Sequence, residues 1–132
     1  MAKNGGIVIV KSIITKTRRQ KMAEAGRTGS IAKITHVAVG RGGVDENGEI
    51  RVVYETDNRL NDELIRKEYS NVHKLSDTSY IYDIKLEADE LVGEYISEIM
   101  LIDEDGDPVA FMTFLPKGKD DAETVFSIED RY

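Results

Sequence analysis

The acidic run at residues 103–107, Asp-Glu-Asp-Gly-Asp, has the residue types and spacing of a site for a hard cation. Calcium prefers closely spaced carboxylate oxygens, but a twelve-residue calcium loop also needs glycine at its sixth position and a bidentate acid at its twelfth. Counted from Asp103, those positions are Pro108 and Phe114. A β-turn explains the same letters, because aspartate side chains bond the local backbone while glycine and proline supply the dihedral angles. We therefore predict a structural turn and no metal site.

A second cluster, Gly40-Arg41-Gly42-Gly43, has the glycine content of a phosphate-binding loop. A dinucleotide-binding fingerprint needs a further glycine at position 45 and a helix after it, but residue 45 is Asp45. We predict a structural turn in which glycines allow positive φ angles and a sharp change of direction. No cofactor is expected.

The two histidines, His36 and His73, are the remaining candidates for catalysis or metal binding. Without any cysteine in the chain, they cannot supply the three or four nitrogen or sulfur ligands of a typical zinc site. We expect His36 to be a satisfied, partly buried side chain of a strand. No serine lies in a Gly-x-Ser-x-Gly elbow either. The sequence thus predicts no catalytic, cofactor-binding or metal-ligating residue, and a protein that is not an enzyme.

The basic segment at residues 16–27 is the strongest rival signal, because four cations on one short helix could bridge phosphates or an anionic membrane. Aromatic side chains for base stacking are absent there. We favour a solvated or subunit-facing helix, and a small nucleic-acid-binding protein that uses this helix stays as the alternative. Contact surfaces are expected at residues 15–25 and 40–48. The predicted interface residues are Lys16, Arg18, Arg19, Lys21, Arg41, Gly42 and Gly43.

Composition indicates a single globular domain over residues 1–132, with 40% hydrophobic and 33% charged residues. No apolar run approaches the roughly 18 residues of a membrane span. The net charge of −7 is divided unevenly: residues 1–44 hold nine lysines or arginines and one acid, Glu24, whereas residues 45–132 hold nine bases and 24 acids. Such an imbalance can stabilise one domain internally or attract the basic face of one copy to the acidic face of another. We favour the second.

Several elements must position these residues. We predict a strand at 7–14, a helix at 15–25 ended by Gly26 and Gly29, and a strand at 31–39. Asn47-Gly48 predicts a hairpin between Val44 and residues 50–54. The later elements are a helical turn at 56–65, strands at 65–74 and 79–86, a helical turn at 87–92, paired strands at 94–102 and 109–115, and a short strand or helix in the tail at 117–132. The fold class is α+β, a mostly antiparallel β-sheet with one N-terminal helix and short helical turns.

Four segments, in chain order, resemble the N-terminal domain of phage tail-collar fibre proteins. Residues 34–43, ITHVAVGRGG, are similar to the family's ITxxAVGxGG strand, and residues 93–111 to its GxxIxEIGLFDEDGDLIAV hairpin. Residues 13–25 resemble its LTxxGxxKLxxA segment, with Thr17 in place of the glycine, and residues 59–66 resemble its short helix leading into a strand.

The resemblance implies a non-enzymatic structural component of a phage tail or a phage-tail-like contractile particle. Family members attach a tail fibre to the baseplate, commonly as trimers, and this chain is expected to do the same or to act as a baseplate or collar adaptor subunit. The expected partners are other tail or baseplate proteins and two further copies in a homotrimer, without membrane, nucleic acid or small-molecule substrate. The expected location is the virion tail, after synthesis in the cytoplasm of a bacterial host.

Overall fold

The computed structural model describes residues 12–132, so most of the strand predicted at 7–14 lies outside the described residues. One helix and eight strands follow one another in the described chain. Their bounds are β1 (Ile13–Ile14), α1 (Lys16–Thr28), β2 (Ile34–Gly40), β3 (Glu63–Glu68), β4 (Asn71–Ser76), β5 (Ser79–Leu86), β6 (Tyr95–Asp103), β7 (Pro108–Gly118) and β8 (Thr124–Arg131).

The strands form two antiparallel sheets that pack against each other. The five-stranded sheet has the order β1-β7-β6-β2-β3, and the three-stranded sheet has the order β4-β5-β8. A hydrophobic core between them combines side chains of both sheets, such as Val37, Leu101, Ile84 and Ile128. This architecture confirms the predicted α+β class with a mostly antiparallel sheet and one N-terminal helix.

The centre of the five-stranded sheet is buried on both faces. On β6, Ile99 and Leu101 enter the core between the sheets, whereas Met100 and Ile102 enter a second apolar cluster on the opposite face. That second cluster is covered by Leu60, with Val53 packed against it. Burial on both faces explains why residues 99–102 of β6 read as a continuous apolar run and not as an alternating one.

Helix α1 begins where its sequence predicts, after Thr15, and ends at Thr28, three residues later than predicted. Thr15 is the N-cap, and its Oγ1 accepts a hydrogen bond from the Arg18 N–H at 3.0 Å. Gly29 is the C-cap at φ 82°. The predicted end at residue 25 is wrong because Gly26 lies inside the helix, where it costs only about 1 kcal/mol relative to alanine.

The region between residues 56 and 76 differs most from the prediction. There is no helical turn at 56–65, since Leu64 and Ile65 already belong to β3. The strand predicted at 65–74 is two strands, because the chain leaves the five-stranded sheet after Glu68 and enters the three-stranded sheet at Asn71. A segment whose alternating polarity predicts one strand thus contains a change of sheet.

Two further predictions are corrected and one is resolved. Residues 87–92 form separate hydrogen-bonded turns instead of a helical turn, with Leu91 at φ 53°. The hairpin predicted at Asn47-Gly48 is present but shorter than predicted, because Val44 and Ile50 form one antiparallel bridge and residues 51–54 form no strand. The tail is a strand, β8, which pairs with β5 along its length. Within residues 12–132, no helix has the length and hydropathy needed to cross a membrane.

Candidate functional site

The buried carboxylate of Glu98 ties the glycine loop to β6. Glu98 is 1% exposed. Its Oε2 accepts hydrogen bonds from the N–H groups of Gly42 and Asp62, both at 2.8 Å, and its Oε1 accepts one from Asn61 at 2.9 Å. Three backbone donors therefore satisfy a charge that would otherwise be costly to bury.

The glycines of this loop are needed because neighbouring atoms lie where a Cβ would be, and not because the backbone has a positive φ angle there. The prediction of positive φ angles here is wrong, because the described glycines with positive φ are Gly29, Gly48, Gly93 and Gly106. A Cβ on Gly42 would lie 2.5 Å from the Cβ of Asn61, and a Cβ on Gly43 would collide with the Ser97 carbonyl oxygen. Larger residues would separate the loop from β6 and open the contacts around Glu98.

The predicted turn at residues 103–107 is confirmed. Gly106 has φ 83° and donates its N–H to the Asp103 carbonyl oxygen at 2.9 Å. Asp103 Oδ1 accepts the N–H groups of Asp105 at 3.0 Å and Asp107 at 3.1 Å. The carboxylates of these three aspartates come close enough together to surround one cation.

A lysine of helix α1 reaches that position. The Lys21 ammonium lies 2.7 Å from Asp103 Oδ2, 2.9 Å from Asp105 Oδ2 and 2.8 Å from Asp107 Oδ2. Partial burial favours the neutral amine, but hydrogen bonds to the three carboxylates outweigh it and raise the pKa of Lys21 above its usual value. Any metal ion at this turn would have to displace the ammonium group.

Arg18 is buried in the fold, although the sequence predicted it at an interface. It is 3% exposed, and its Nη1 donates to the Ala32 carbonyl oxygen at 2.6 Å and lies 3.8 Å from Asp103 Oδ2. The carboxylate of Asp130, 1% exposed at the end of β8, is also in its electrostatic environment. Arg18 therefore connects α1, the acidic turn and the second sheet, and the intact fold leaves it no surface for a partner.

The other predicted interface residues occupy two kinds of position. Arg19 pairs with Glu55 at 2.6 Å, and Arg41 pairs with Asp62 at 2.7 Å and Glu94 at 3.0 Å. The hydrogen bonds that Arg41 donates, first to Asp62 and then to Glu94, raise the pKa of Arg41. Lys16 is exposed at the start of α1, Gly42 is half-buried, and Gly43 is buried against Ser97.

These ion pairs decide how the uneven charge of the sequence is used in the described chain. Arg18, Arg19, Lys21 and Arg41 all meet acids from after residue 45 within the same molecule. Our expectation favoured attraction between copies, but for these four residues the attraction is internal. A surface that binds a partner must therefore lie outside these four residues.

The loop between Val44 and Asp57 keeps its charge and apolar surface exposed. Its alternate residues Ile50, Val52 and Tyr54 are 42%, 70% and 62% exposed. In contrast, the Arg51 backbone is bound by Gly43 and Thr113, and Val53 packs on the second apolar cluster. We call the outer surface of this segment the loop face; it consists of Asp45, Glu46, Glu49, Ile50, Val52 and Tyr54.

The acids of the loop face differ from those of the turn at 103–107. Among residues 12–132, Asp45, Glu46 and Glu49 form no ion pair within 4.0 Å. The depression lined by Asp45, Glu49 and Tyr54 is open to solvent. Negative charge and apolar side chains are thus presented together on one surface.

Sequence reasoning missed the residue that organises the glycine loop. Glu98 is an isolated acid in the otherwise uncharged and mostly apolar run at residues 95–102, and that isolation was the available signal. Acids almost never occur in a buried strand unless they are paired or hydrogen-bonded. The partners of Lys21 could not be read in the same way, because 82 residues separate it from Asp103.

A scan against models of protein families and searches of curated proteins and of solved structures found no match for this chain.

Proposed function

We propose that this protein is a structural component of a phage tail or a phage-tail-like contractile particle. In that role it attaches a tail fibre to the baseplate or serves as a baseplate or collar adaptor subunit. The proposal starts from the sequence resemblance to tail-collar fibre proteins. It gives the protein no catalytic role.

The proposal is supported by the internal contacts of the segments that resemble tail-collar fibre proteins. The glycine loop, the acidic turn and α1 are joined by Glu98 and by Lys21, whose polar atoms are taken up by internal partners. Motif residues at an enzyme site converge on a cavity and leave polar groups for a substrate. Here they join loops to strands, which is what a rigid attachment domain requires.

Exposed strand edges support a role in a permanent assembly. Strand β4 ends the three-stranded sheet, and all six of its residues are exposed. Strand β3 ends the five-stranded sheet on the side where the chain crosses to β4. Among residues 12–132 neither strand has a second neighbour. Edges of this kind pair readily with other chains and are protected when a neighbouring subunit covers them.

The nucleic-acid alternative loses support from the ion pairs of α1. Phosphate binding needs free cations on one face, whereas Arg18 is buried, Arg19 pairs with Glu55, and Lys21 is held by three aspartates. The net charge of −7 also opposes long-range attraction to phosphate.

The test is to purify tail particles from the strain that encodes this chain. Mass spectrometry should find the chain in the particles, and gold-labelled antibodies should place it at the fibre or baseplate end. Deleting its gene should give tails that lack a fibre or a baseplate component. Particles that are complete without the chain, together with salt-sensitive DNA binding by the purified protein, would contradict the proposal and favour the alternative.

A further inference from the structure

We propose that the loop face binds an extended segment of a different protein, in which basic and apolar residues alternate, and that this segment pairs with residues 50–54 as an added strand. The inference deepens the proposed function by giving the chemistry of one partner. It rests on the proposed function only for where that partner occurs, because the contact itself is argued from the residues of this chain.

The backbone of the loop face has hydrogen-bonding groups without partners. Val44 and Ile50 form an antiparallel bridge, and beside it the Arg51 N–H donates to the Gly43 carbonyl oxygen at 2.9 Å. In this kind of bridge the hydrogen bonds are made by the flanking residues, so the N–H and C=O groups of Ile50 point away from Val44. Neither these groups nor those of Val52 form a hydrogen bond within residues 12–132. An exposed edge of this kind can bind an extended peptide through main-chain hydrogen bonds.

The side chains of the segment alternate as an added strand requires. Ile50, Val52 and Tyr54 are exposed, and the last two are more than half exposed. Between them, the Arg51 Nε donates to the Val44 carbonyl oxygen at 3.1 Å, and Val53 packs on the second apolar cluster. Neighbouring strands bring every second side chain together on one face. Apolar side chains of a partner would therefore cover the exposed ones of the loop face, which are typical of an interaction site.

The charge around the segment selects a basic partner. Asp45, Glu46 and Glu49 have no ion pair within the described chain, as noted above, and Asp57 has none with residues 12–132 either. Three of these acids line an open depression of about 550 Å³, to which Arg51 contributes one cation. The excess of carboxylates can pair with arginine or lysine side chains of a partner and disfavours acidic ones.

The edge strands β3 and β4 of a second copy do not supply such a segment. Their cations Arg66, Lys67 and Lys74 already pair with acids of their own molecule, at 2.8, 2.7 and 3.1 Å. A strand whose charges are already paired gains little from the carboxylates of the loop face. The occupant is therefore a segment of another protein whose basic side chains are free.

Synthetic peptides of about eight residues test the binding chemistry, because that length spans the segment in extended form. One peptide alternates arginine with valine, a second alternates glutamate with valine, and a third alternates arginine with serine. Fluorescence anisotropy measures their binding to the purified chain at about 0.1 M salt, where surface charges still interact over about 10 Å. The arginine–valine peptide should bind at least about tenfold more tightly than either of the others.

Substitutions on the loop face should change this preference in two separate ways. The paired change Glu46→Lys and Glu49→Lys should make the chain prefer the glutamate–valine peptide. The paired change Val52→Ser and Tyr54→Ser should remove the difference between the arginine–valine and arginine–serine peptides. A control with Asp89→Lys and Asp121→Lys makes the same change in net charge at exposed positions outside the loop face, and it should keep the wild-type preference. Circular dichroism and thermal unfolding of every variant separate loss of contact from loss of fold.

Amide hydrogen exchange tests the added strand itself. In the complex with the arginine–valine peptide, the N–H groups of Ile50 and Val52 should exchange at least about tenfold more slowly than in the free chain. The N–H of Gly48 is the internal control, because it already donates to the Asp45 carbonyl oxygen at 2.9 Å and should change little.

Three results would overturn the inference: equal binding of the three peptides, a control variant that changes the preference as much as the loop-face reversal does, or binding without slower exchange at Ile50 and Val52. Light scattering of the chain alone adds a fourth. An oligomer that Glu46→Lys and Glu49→Lys dissociate would mean that a second copy, and not another protein, occupies the loop face. None of these results decides the proposed function, which depends on finding the chain in tail particles.

Discussion

Two turns of this protein share one backbone design and have opposite surroundings. Asp45 Oδ1 accepts the N–H groups two and four residues later, Asn47 and Glu49, at 2.8 and 3.0 Å. Asp103 Oδ1 does the same with Asp105 and Asp107. In both turns a glycine in the fourth position has positive φ, 79° at residue 48 and 83° at residue 106.

The difference lies in what surrounds each carboxylate. The side chain of Asp103 is 1% exposed and meets Lys21 and Arg18, whereas the Asp45 carboxylate has no ion pair within 4.0 Å among residues 12–132 and lines the open depression of the loop face. Local hydrogen bonds thus explain the shape of each turn, and tertiary contacts decide whether its charge stabilises the fold or remains for a partner. Matched substitutions in the two turns separate these two contributions.

Replacing the first aspartate of each turn should give the largest contrast. Asp103→Ala removes two turn hydrogen bonds, an ion pair with Lys21 and one of the two carboxylates near the buried Arg18, so we expect a loss of about 3–5 kcal/mol in the free energy of unfolding. Asp45→Ala removes the equivalent hydrogen bonds at an exposed turn and should cost about 1 kcal/mol. Urea unfolding of both variants at neutral pH measures the difference. Equal losses would mean that the cations of α1 do not stabilise the acidic turn.

Removing the lysine should reveal how much the acidic turn depends on its cation. Lys21→Ala leaves three carboxylates close together without their shared ammonium, and we expect a loss of about 1–3 kcal/mol. Lys16→Ala is the matched control on the same helix, because Lys16 is exposed, and it should change stability by less than about 0.5 kcal/mol. High salt should reduce the difference between the two variants, since it screens the repulsion that remains.

The glycines of the two turns should behave alike, because local geometry alone is tested there. A Cβ at Gly48 or Gly106 meets nothing within 4 Å, so only the positive φ angle opposes alanine. Each Gly→Ala change should therefore cost about 1 kcal/mol. Thermal unfolding of the two single variants gives the comparison. A much larger cost at Gly106 than at Gly48 would show that the acidic turn is strained by its neighbours and is not a copy of the exposed turn.

Stability should also depend on pH through Asp130, the other carboxylate near Arg18. Burial is the largest effect on Asp130 and raises its pKa above the ordinary value of 3.8, although the Tyr132 hydroxyl and Arg18 oppose it. The folded chain therefore binds a proton more readily than the unfolded chain, and the contribution of Asp130 to stability increases as the pH falls from neutral through the folded pKa toward 3.8.

Asp130→Asn should remove this contribution. Urea unfolding of the wild type and the variant at pH values between 7 and 4 measures it, and the stability of the wild type relative to the variant should increase toward acid. The groups that act on Asp130 are Tyr132, Arg18, Glu129 and Tyr82, and the pKa of Tyr82, raised by burial to about 12, keeps that tyrosine neutral throughout. A difference that stays constant over this range would contradict the raised pKa.

The sequence predicted the features that depend on residues close together in the chain, and it missed those that depend on distant residues. Three features depend on neighbours in the chain, and the local sequence was sufficient to predict them. They are the turn at residues 103–107, the Thr15 cap and the hairpin of β6 and β7. The change of sheet after β3 was not predictable, because Ile65 in one sheet and Val72 in the other have the same local pattern. The prediction of a helical turn at 56–65 was wrong for a related reason. The Asp57 carboxylate accepts the Tyr54 N–H at 3.0 Å and caps no helix.

The candidate contact residues were predictable by charge but not by location. The sequence identified the basic helix and the glycine loop, yet it could not show that Arg18 is buried or that Lys21 meets aspartates far along the chain. The loop face escaped notice because Ile50, Val52 and Tyr54 read as one half of a ribbon. The sequence alone does not show whether alternate apolar residues are exposed, because the same residues are buried when a second layer of the fold covers them.

The smallest effect on folding is expected at the loop face, and it completes the comparison between the two turns. The paired change Val52→Ser and Tyr54→Ser removes side chains that are 70% and 62% exposed, so the free energy of unfolding of the isolated chain should change by no more than about 0.5 kcal/mol. Association with a partner subunit should nevertheless weaken, because two of the exposed apolar side chains of the loop face are lost. Light scattering over a dilution series, with urea unfolding of the same samples, measures both properties. A large loss of stability without any change in association would mean that these side chains serve the fold, and that the exposed turn is as much a part of the structural framework as the buried one.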